Sequence, residues 1–355
     1  MAGSRSGAAT QSKDSYSVDF SANTTRCSTV SVVKSIGKLD KPMPRFDVTI
    51  AGELNLDLIL YGLPEQLLPE RELLADRMML TLGSSSAIVA HNLAALGSRV
   101  GFQSRIGDDP LGEIAIERLR QGGVDVSHVR RVPGPITTGL TVILPHGSWR
   151  NILTYAGTIA ETGWDDLDLN YLVDSRHFHF SSYYLQRGLR PRVGELFQLL
   201  KAKGLTISLD TNDDPDDQWE GGLHEVLRYV DVFLPNEREA CKVAGTNDDD
   251  LEAAIHKLSE LVPLVVVKLG PEGSLAQRGA ERFTSPSQEV VAVDTVGAGD
   301  SFDAGFLHEY VRGSDLPTCL ASGNRAGALS TTRPGGTEAF RDTARRQEFF
   351  RQRDT

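Results

Sequence analysis

One run near the C-terminal end, Asp294-Thr295-Val296-Gly297-Ala298-Gly299-Asp300-Ser301-Phe302-Asp303-Ala304-Gly305-Phe306, combines small residues and carboxylates in an order that can do chemistry. Small residues at 297–299 let backbone N–H groups converge at a helix N-terminus, where unpaired donors and the helix dipole attract an anion such as a phosphoryl group. A carboxylate at Asp300 beside that anion is electrostatically costly unless it has a task such as accepting a proton. The plain alternative is that Asp300 caps a helix after a glycine turn. Two other phosphate-binding patterns fare worse: no G-x-x-x-x-G-K-[ST] string occurs in the chain, and Phe302 stands where the dinucleotide fingerprint needs its third glycine.

Short strands alternating with helices must position such a turn. Phe46 to Ala51 reads as a strand, Ser84 to Leu96 as a small-residue helix capped by its serines, and Arg99 to Ser104 as a strand. Asp109-Pro110 opens a helix that Gly122-Gly123 closes. Gly139 to Leu144 and Arg150 to Tyr155 flank Pro145-His146-Gly147-Ser148 as a β-hairpin. After His177 the alternation is regular: a strand near Phe178, a helix from Pro191 to Lys203, a strand from Leu205 to Asp210, a helix from Trp219 to Tyr229, a strand from Asp231 to Leu234 and a helix from Glu237 to Ala244. Leu251, Ile255, Leu258 and Leu261 mark a further helix, followed by the strand Leu264 to Leu269 and a β-like run from Glu289 to Val293. Nearly continuous apolar strands of this kind suit a sheet buried on both faces, so the fold class is α/β with a mainly parallel sheet. The segments 58–82, broken by Pro64 and Pro69, and 137–157 carry too few apolar residues for a second core and predict a small β lid.

The 355 residues are 40% hydrophobic and 24% charged, with net charge −11, which argues against nucleic acid or an anionic membrane as the main partner. Cys27, Cys241 and Cys319 are odd in number and form no Cys-x-x-Cys pair, so neither a disulfide framework nor a structural zinc site is expected, and the cytoplasm is the expected location. No apolar run approaches the ~18 to 20 residues of a membrane span. Residues 1–45 are rich in Ser, Thr and Ala and contain no Glu, which reads as a disordered extension, with Met43 as an alternative start. Residues 346–355 read as a C-terminal tail.

The chain resembles the ribokinase family of carbohydrate kinases, which includes adenosine kinase and the minor-type phosphofructokinases. The string Asp294-Thr295-x-Gly297-Ala298-Gly299-Asp300 is similar to that family's C-terminal signature, and weaker blocks occur in the expected order. These are Gly52-Glu53-Leu54-Asn55-Leu56-Asp57, Ile106-Gly107-Asp108-Asp109-Pro110-Leu111-Gly112, Gly122-Gly123-Val124-Asp125, Asn236-Glu237-Arg238-Glu239 and Lys268-Leu269-Gly270-Pro271-Glu272-Gly273. The resemblance implies a ribokinase-like three-layer αβα domain over residues 46–345 and ATP-dependent phosphorylation of a primary hydroxyl on a free sugar. Asp300 would be the base and the amides of Gly297, Ala298 and Gly299 the anion hole, with direct transfer. It further implies nucleotide contacts at Lys268, Gly270, Gly273 and Asn324, magnesium held through water by Asn236 and Glu239, and a monovalent cation such as K+ near Asp294 and Thr295. A homodimer through the lid is the expected assembly.

On the acceptor side, Asn55 and Asp57 lie two apart, so both can point the same way towards sugar hydroxyls, joined by Gly83, Ser84 and Ser85; as an isolated pair, Asn55 and Asp57 are better explained by a turn. Ile88 occupies the place of the family's common Asn. No basic residue stands in Gly52 to Asp57 or Gly83 to Ile88, and Arg150 is the nearest candidate, which predicts a neutral acceptor. His177 and His179 read as structural, Tyr183 or Tyr184 as a ring that stacks on ligand or packs at the rim, and Asp213, Asp214, Asp216 and Asp217 as a solvated loop. The alternatives are a nucleoside kinase, a catalytically silent sugar- or nucleotide-binding module and, more distantly, an NAD-dependent oxidoreductase.

Overall fold

The computed structural model describes residues 43–146 and 149–351; the expected extension up to residue 42 and the hairpin tip at Gly147 and Ser148 lie outside them. The elements run β1 (Phe46–Ala51), β2 (Asn55–Tyr61), β3 (Arg77–Leu82), α1 (Ser85–Ala95), β4 (Val100–Gly107), α2 (Pro110–Gln121), β5 (Asp125–Val132), β6 (Gly139–His146), β7 (Trp149–Tyr155), α3 (Leu169–Val173) and β8 (Ser175–Phe180). They continue with α4 (Val193–Ala202), β9 (Thr206–Leu209), α5 (Leu223–Leu227), β10 (Val232–Phe233), α6 (Glu237–Ala244), α7 (Leu251–Ser259), β11 (Leu264–Lys268), β12 (Ser274–Arg278), β13 (Glu281–Ser285), α8 (Ala298–Tyr310), α9 (Leu316–Thr331), α10 (Glu338–Arg341) and α11 (Thr343–Arg351).

Alternation along the central strands divides the apolar side chains between two layers. In β11, Val265 and Val267 join the cluster formed with Phe197, Leu227 and Leu258 of α4, α5 and α7. Leu264 and Val266 join the opposite one, with Leu93, Leu119, Phe306 and Leu320 of α1, α2, α8 and α9. Burial of each such side chain stabilises the fold by roughly 1.5–3 kcal/mol. The sheet between these layers has the order β13-β12-β11-β10-β9-β8-β1-β4-β5. It is parallel from β11 to β5, with β12 and β13 added antiparallel. This is the three-layer α/β fold expected from the strand and helix alternation.

A separate sheet, β3-β2-β6-β7, is built from the two segments singled out as a lid. Its β6–β7 hairpin keeps register from Leu140 opposite Tyr155 to His146 opposite Trp149. β7 is an edge strand exposed along its whole length.

Asp109 caps α2 with Pro110 at its first position, as read, while Asn236, expected at magnesium, caps α6. Four expectations are corrected. Glu289 to Val293 forms no strand; Val290 and Ala292 line a cavity while Val291 is 88% exposed, so the alternation separates cavity from solvent without any ladder partner. The helix expected from Trp219 starts only at Leu223, because Trp219, Gly221 and Gly222 all adopt positive φ. Residues 346–351 belong to α11, whose Phe349 and Phe350 pack with Leu329 and Phe340, so they are not a loose tail. At the other boundary, residues 43–45 are already tied down, Arg45 pairing with Asp125 and donating its N–H to Asp174. No helix among the described residues is long and apolar enough to cross a membrane.

Candidate active site

The carboxyl ends of β8, β9 and β11 and the N-terminal ends of α1, α6 and α8 converge, the crevice where open α/β sheets place ligands. Asp300 is the third residue of α8. Gly297 caps that helix with φ 71°, and a Cβ there would lie 2.6 Å from Gly336 Cα, so both conformation and space demand glycine. Of the candidate anion-hole amides, that of Ala298 reaches Thr295 O at 3.3 Å, whereas those of Gly297, Gly299 and Asp300 find no acceptor among the described residues. The open donors are therefore displaced by one residue from part of the expected set, and Asp300 contributes its own N–H.

Ser85, at the start of α1, donates its hydroxyl to Asp300 Oδ1, and Asn212, beyond β9, places Nδ2 3.5 Å from the same oxygen. Burial raises the Asp300 carboxyl, and the Asp210 charge adds to this while Ser85 opposes it. Ser84, at φ 69°, caps α1 by accepting the Ala87 N–H and donates to Glu53 O, so its hydroxyl is committed to holding the turn. Asp57, on the lid strand β2, faces the same space. Burial, then the charges of Asp300 and Asp294, push its carboxyl up to about 7. Gly83 leaves room for it, since a Cβ there would sit 2.1 Å from Asp57 Oδ1. Asn55 turns instead to the neighbouring lid strand, donating to Thr141 Oγ1 at 3.3 Å.

Behind Asp300 lies a buried charge cluster that sequence reading missed. Lys268 Nζ lies 2.6 Å from Asp210 Oδ2 and 3.4 Å from Asp303 Oδ1. Against the cost of burial, the ammonium holds Asp210 below the usual carboxylate range. Burial and the Asp210 charge drive Asp303 well above it, with Lys268 opposing. The signal for Asp303 was present: it stands three residues after Asp300 on one helix, hence on the same face. Asn236 and Glu239 close a reciprocal cap, Asn236 Oδ1 accepting the Glu239 N–H and Glu239 Oε2 the Asn236 N–H, both at 2.9 Å. Burial and Asp210 lift the Glu239 carboxyl to about 7, and its Oε1 has no hydrogen bond among the described residues. No group of three or more His, Cys, Asp or Glu side chains among the described residues could hold a metal ion.

The four residues expected at a nucleotide, Lys268, Gly270, Gly273 and Asn324, do line one cavity of about 660 Å3 that also includes Gly299, a size suited to a small ligand. Within it Asn324 Nδ2 is spent on Ser285 O and Pro286 O, where it pins the loop after β13, and the Lys268 ammonium is held by its two aspartates. The side chains of Asp294 and Thr295 are engaged within the protein. Asp294 accepts the Tyr61 O–H at 2.7 Å, the Gly335 N–H at 3.1 Å and the Val296 N–H at 3.0 Å, while Thr295 Oγ1 lies 3.1 Å from the Arg150 guanidinium. These contacts fasten the lid to the core.

Tyr183 and Tyr184 are corrected: both are buried in the core beside Trp219, and Tyr183 donates to Gly221 O, so neither faces a ligand. His177 and His179 are buried structural groups joined through Ser208 Oγ. In the acidic loop Asp214 is also buried, accepting the N–H groups of Asp216, Gln218 and Trp219, which makes it the organiser of that loop and not a solvated acid.

Residues 46–343 match the sequence profile of the pfkB family of carbohydrate kinases. The chain belongs to that family. Among its relatives, an ATP-dependent ribose-1-phosphate kinase of Halopiger xanaduensis is 29% identical over 295 residues, 82% of this chain and 94% of the relative. A fructokinase of Klebsiella pneumoniae is 29% identical over 289 residues, 77% of this chain and 92% of the relative. A solved structure of a putative ribokinase II from E. coli, in complex with ATP and Mg2+, superposes with a TM-score of 0.76 at 25% identity, covering 87% of this chain and all of that one. The pfkB kinase described here is an ATP-dependent carbohydrate kinase with a ribokinase-like fold.

Proposed function

We propose that the kinase transfers the γ-phosphoryl group of ATP directly to a primary hydroxyl of a neutral sugar, with Asp300 as general base. The observation that carries this reading is the buried Asp300 carboxyl at the start of α8, beside amides that lack acceptors. In the step, the acceptor O–H gives its proton to Asp300, its oxygen forms a bond to the γ-phosphorus, and the bond to the ADP oxygen breaks. The N–H groups of Gly297, Gly299 and Asp300 hold the transferring phosphoryl oxygens, and Arg150, delivered by the lid, adds a cation at Thr295. Glu239 and Asn236 would hold magnesium through water, which supplies neutralisation of phosphate charge.

Neutrality of the acceptor rests on local charge. Burial, then the charges of Asp300 and Asp294, raise the Asp57 carboxyl, and Arg150, a cation carried by the lid, lies beside Thr295 at the phosphoryl side. A second, permanent phosphate would be repelled by these carboxylates. Fructose is therefore expected to show a higher kcat/KM than fructose 6-phosphate. A preference for the phosphorylated sugar would overturn this acceptor class, and Arg150→Ala would then be the first variant to make.

The lid also offers an assembly surface. β7 is an unpaired edge carrying Trp149, Ile152, Leu153 and Tyr155, each about half exposed, which invites pairing with a second copy. Light scattering after gel filtration is expected to give twice the 38.6 kDa protomer mass, and Ile152→Lys combined with Leu153→Lys to give the monomer. A wild-type monomer at micromolar concentration would refute the pairing.

A further inference from the structure

A second cavity of about 350 Å3 lies on the far side of α1 from the acceptor site, walled by the ends of α1 and α2 and by α10 and α11. It is about half the volume of the cavity at Gly270 and Asn324 and roomy enough for a phosphate ester of a few carbons. His91, Gln121, Arg341 and Arg346 supply its polar lining.

The charge there does not balance. Glu338 accepts from Arg118 at 2.6 Å and from Thr81 Oγ1 at 3.0 Å, and it also pairs with Arg341 at 3.2 Å. Arg341 uses its other terminal nitrogen on Gln121 Oε1 at 3.2 Å. Arg346 donates to the Phe340 carbonyl and has no carboxylate at ion-pair distance among the described residues; nearby Asp342 is taken by Arg333 at 2.6 Å. Arg118 and Arg341 thus share one carboxylate at this corner, and the Arg346 guanidinium is lowered by burial, with the Asp342 charge opposing without an ion pair. A cation in that position is costly until an anion arrives, and paired guanidinium forks match the geometry of phosphate oxygens.

A buried hydrogen-bond chain leads from this cavity to the catalytic turn. Asn92 Nδ2 donates to Ser301 Oγ at 2.9 Å and to Gly336 O at 3.0 Å, which identifies Oδ1 as the acceptor facing His91 Nδ1 at 2.8 Å. His91 therefore carries its proton on Nδ1. Ser301 Oγ in turn donates to Gly297 O at 2.7 Å. Gly336, the other acceptor of Asn92, is the residue against which Gly297 packs. Burial, with Arg341 and Arg346 adding and Glu338 opposing, keeps His91 neutral at physiological pH. An anion beside the two arginines would oppose their effect and raise the His91 imidazole towards its ordinary range.

We propose that the cavity between α1, α2, α10 and α11 is a regulatory site for a small phosphate-bearing anion, gripped by Arg341 and Arg346 and coupled through His91, Asn92 and Ser301 to the Gly297 turn. The distance between the two sites is bridged by packed, hydrogen-bonded groups, and the coupling is an energetic linkage that must work in both directions.

The test is isothermal titration of the full-length protein with glycerol 3-phosphate and, separately, inorganic phosphate, in the presence of a saturating non-hydrolysable ATP analogue and magnesium so that the catalytic phosphate sites are filled. One-site saturable binding is expected. Arg346→Gln should weaken it at least tenfold while leaving turnover without added anion within twofold of wild type. Gln121→Glu, a change at the end of α2, should weaken binding similarly by adding a negative charge, and it keeps the test valid if Arg346→Gln folds poorly. Tighter binding of the ester assigns recognition to the whole molecule, and equal binding assigns it to the phosphate group alone; either supports the site. In wild type, saturation should also change KM for ATP at least twofold, a response absent in Arg346→Gln. Absence of saturable binding, or equal binding by wild type and both variants, would overturn the site. Binding without any change in KM or kcat would overturn the coupling. The titration needs no turnover, so its failure is distinguishable from failure of the proposed reaction.

Discussion

Asp300→Asn is expected to lower kcat by roughly 10²–10⁴-fold while leaving the affinity for a non-hydrolysable ATP analogue within about twofold. The substitution keeps the shape of the side chain and an oxygen to accept from Ser85, but removes the capacity to take a proton. Because burial raises the Asp300 carboxyl above the usual range, the base is ionised only above that raised value. The wild-type rate should therefore climb as pH rises through it, and the variant should lose this limb. Near-wild-type kcat, or an unchanged acid limb, would remove Asp300 from the proton-transfer role and return it to the lesser role of a first-turn helix residue.

Lys268→Met should cost about 3–5 kcal/mol of folding stability at pH 8, because it leaves Asp210 buried without its cation. The pH dependence separates this explanation from a packing defect. In wild type the Asp210 carboxyl lies below its unfolded value, so its contribution is present above the ordinary carboxylate range and is lost as pH falls through the native value. Without Lys268, burial is opposed by the hydrogen bonds from Asp303 and the Asn212 N–H, and the Asp210 carboxyl is expected to rise above its unfolded value. Protonation then favours the native state, so the variant's deficit should shrink between pH 8 and pH 5. Chemical denaturation at several pH values measures it; a deficit independent of pH, or below about 1 kcal/mol, would contradict the view of Lys268 as the counter-ion of the cluster.

The parts of this protein that could be read from sequence are those determined by neighbours in the chain. Asp109 before Pro110, Asn236 three residues before Glu239 and Ser84 before α1 act across three or four positions, and each cap is present. The alternation of α4 to α7 with their strands was legible for the same reason, because one period of hydrophobicity assigns each element to a layer. The identical signal misled at Glu289 to Val293, where a cavity and solvent take the places of two sheet faces. What stayed hidden depends on contacts between distant segments. Lys268 lies 58 residues from Asp210, and Tyr61 lies 233 from Asp294, so nothing in local pattern signals either bond. Asn212 carries no local signal of its role, and only the fold sets it beside Asp300. Tyr183 and Tyr184 were placed correctly at the end of β8, yet their rings turn into the core, Tyr184 packing on Trp219 and Tyr183 on Tyr184.

The most direct measurement is phosphorus NMR of the purified protein with ATP, magnesium and a pool of free hexoses, pentoses and nucleosides. The reading advanced above predicts a new phosphomonoester resonance split into a triplet by two methylene protons, growing in step with ADP, since the acceptor oxygen belongs to a CH2OH group. ADP accompanied only by inorganic phosphate, or no consumption of ATP with any member of the pool, would contradict it.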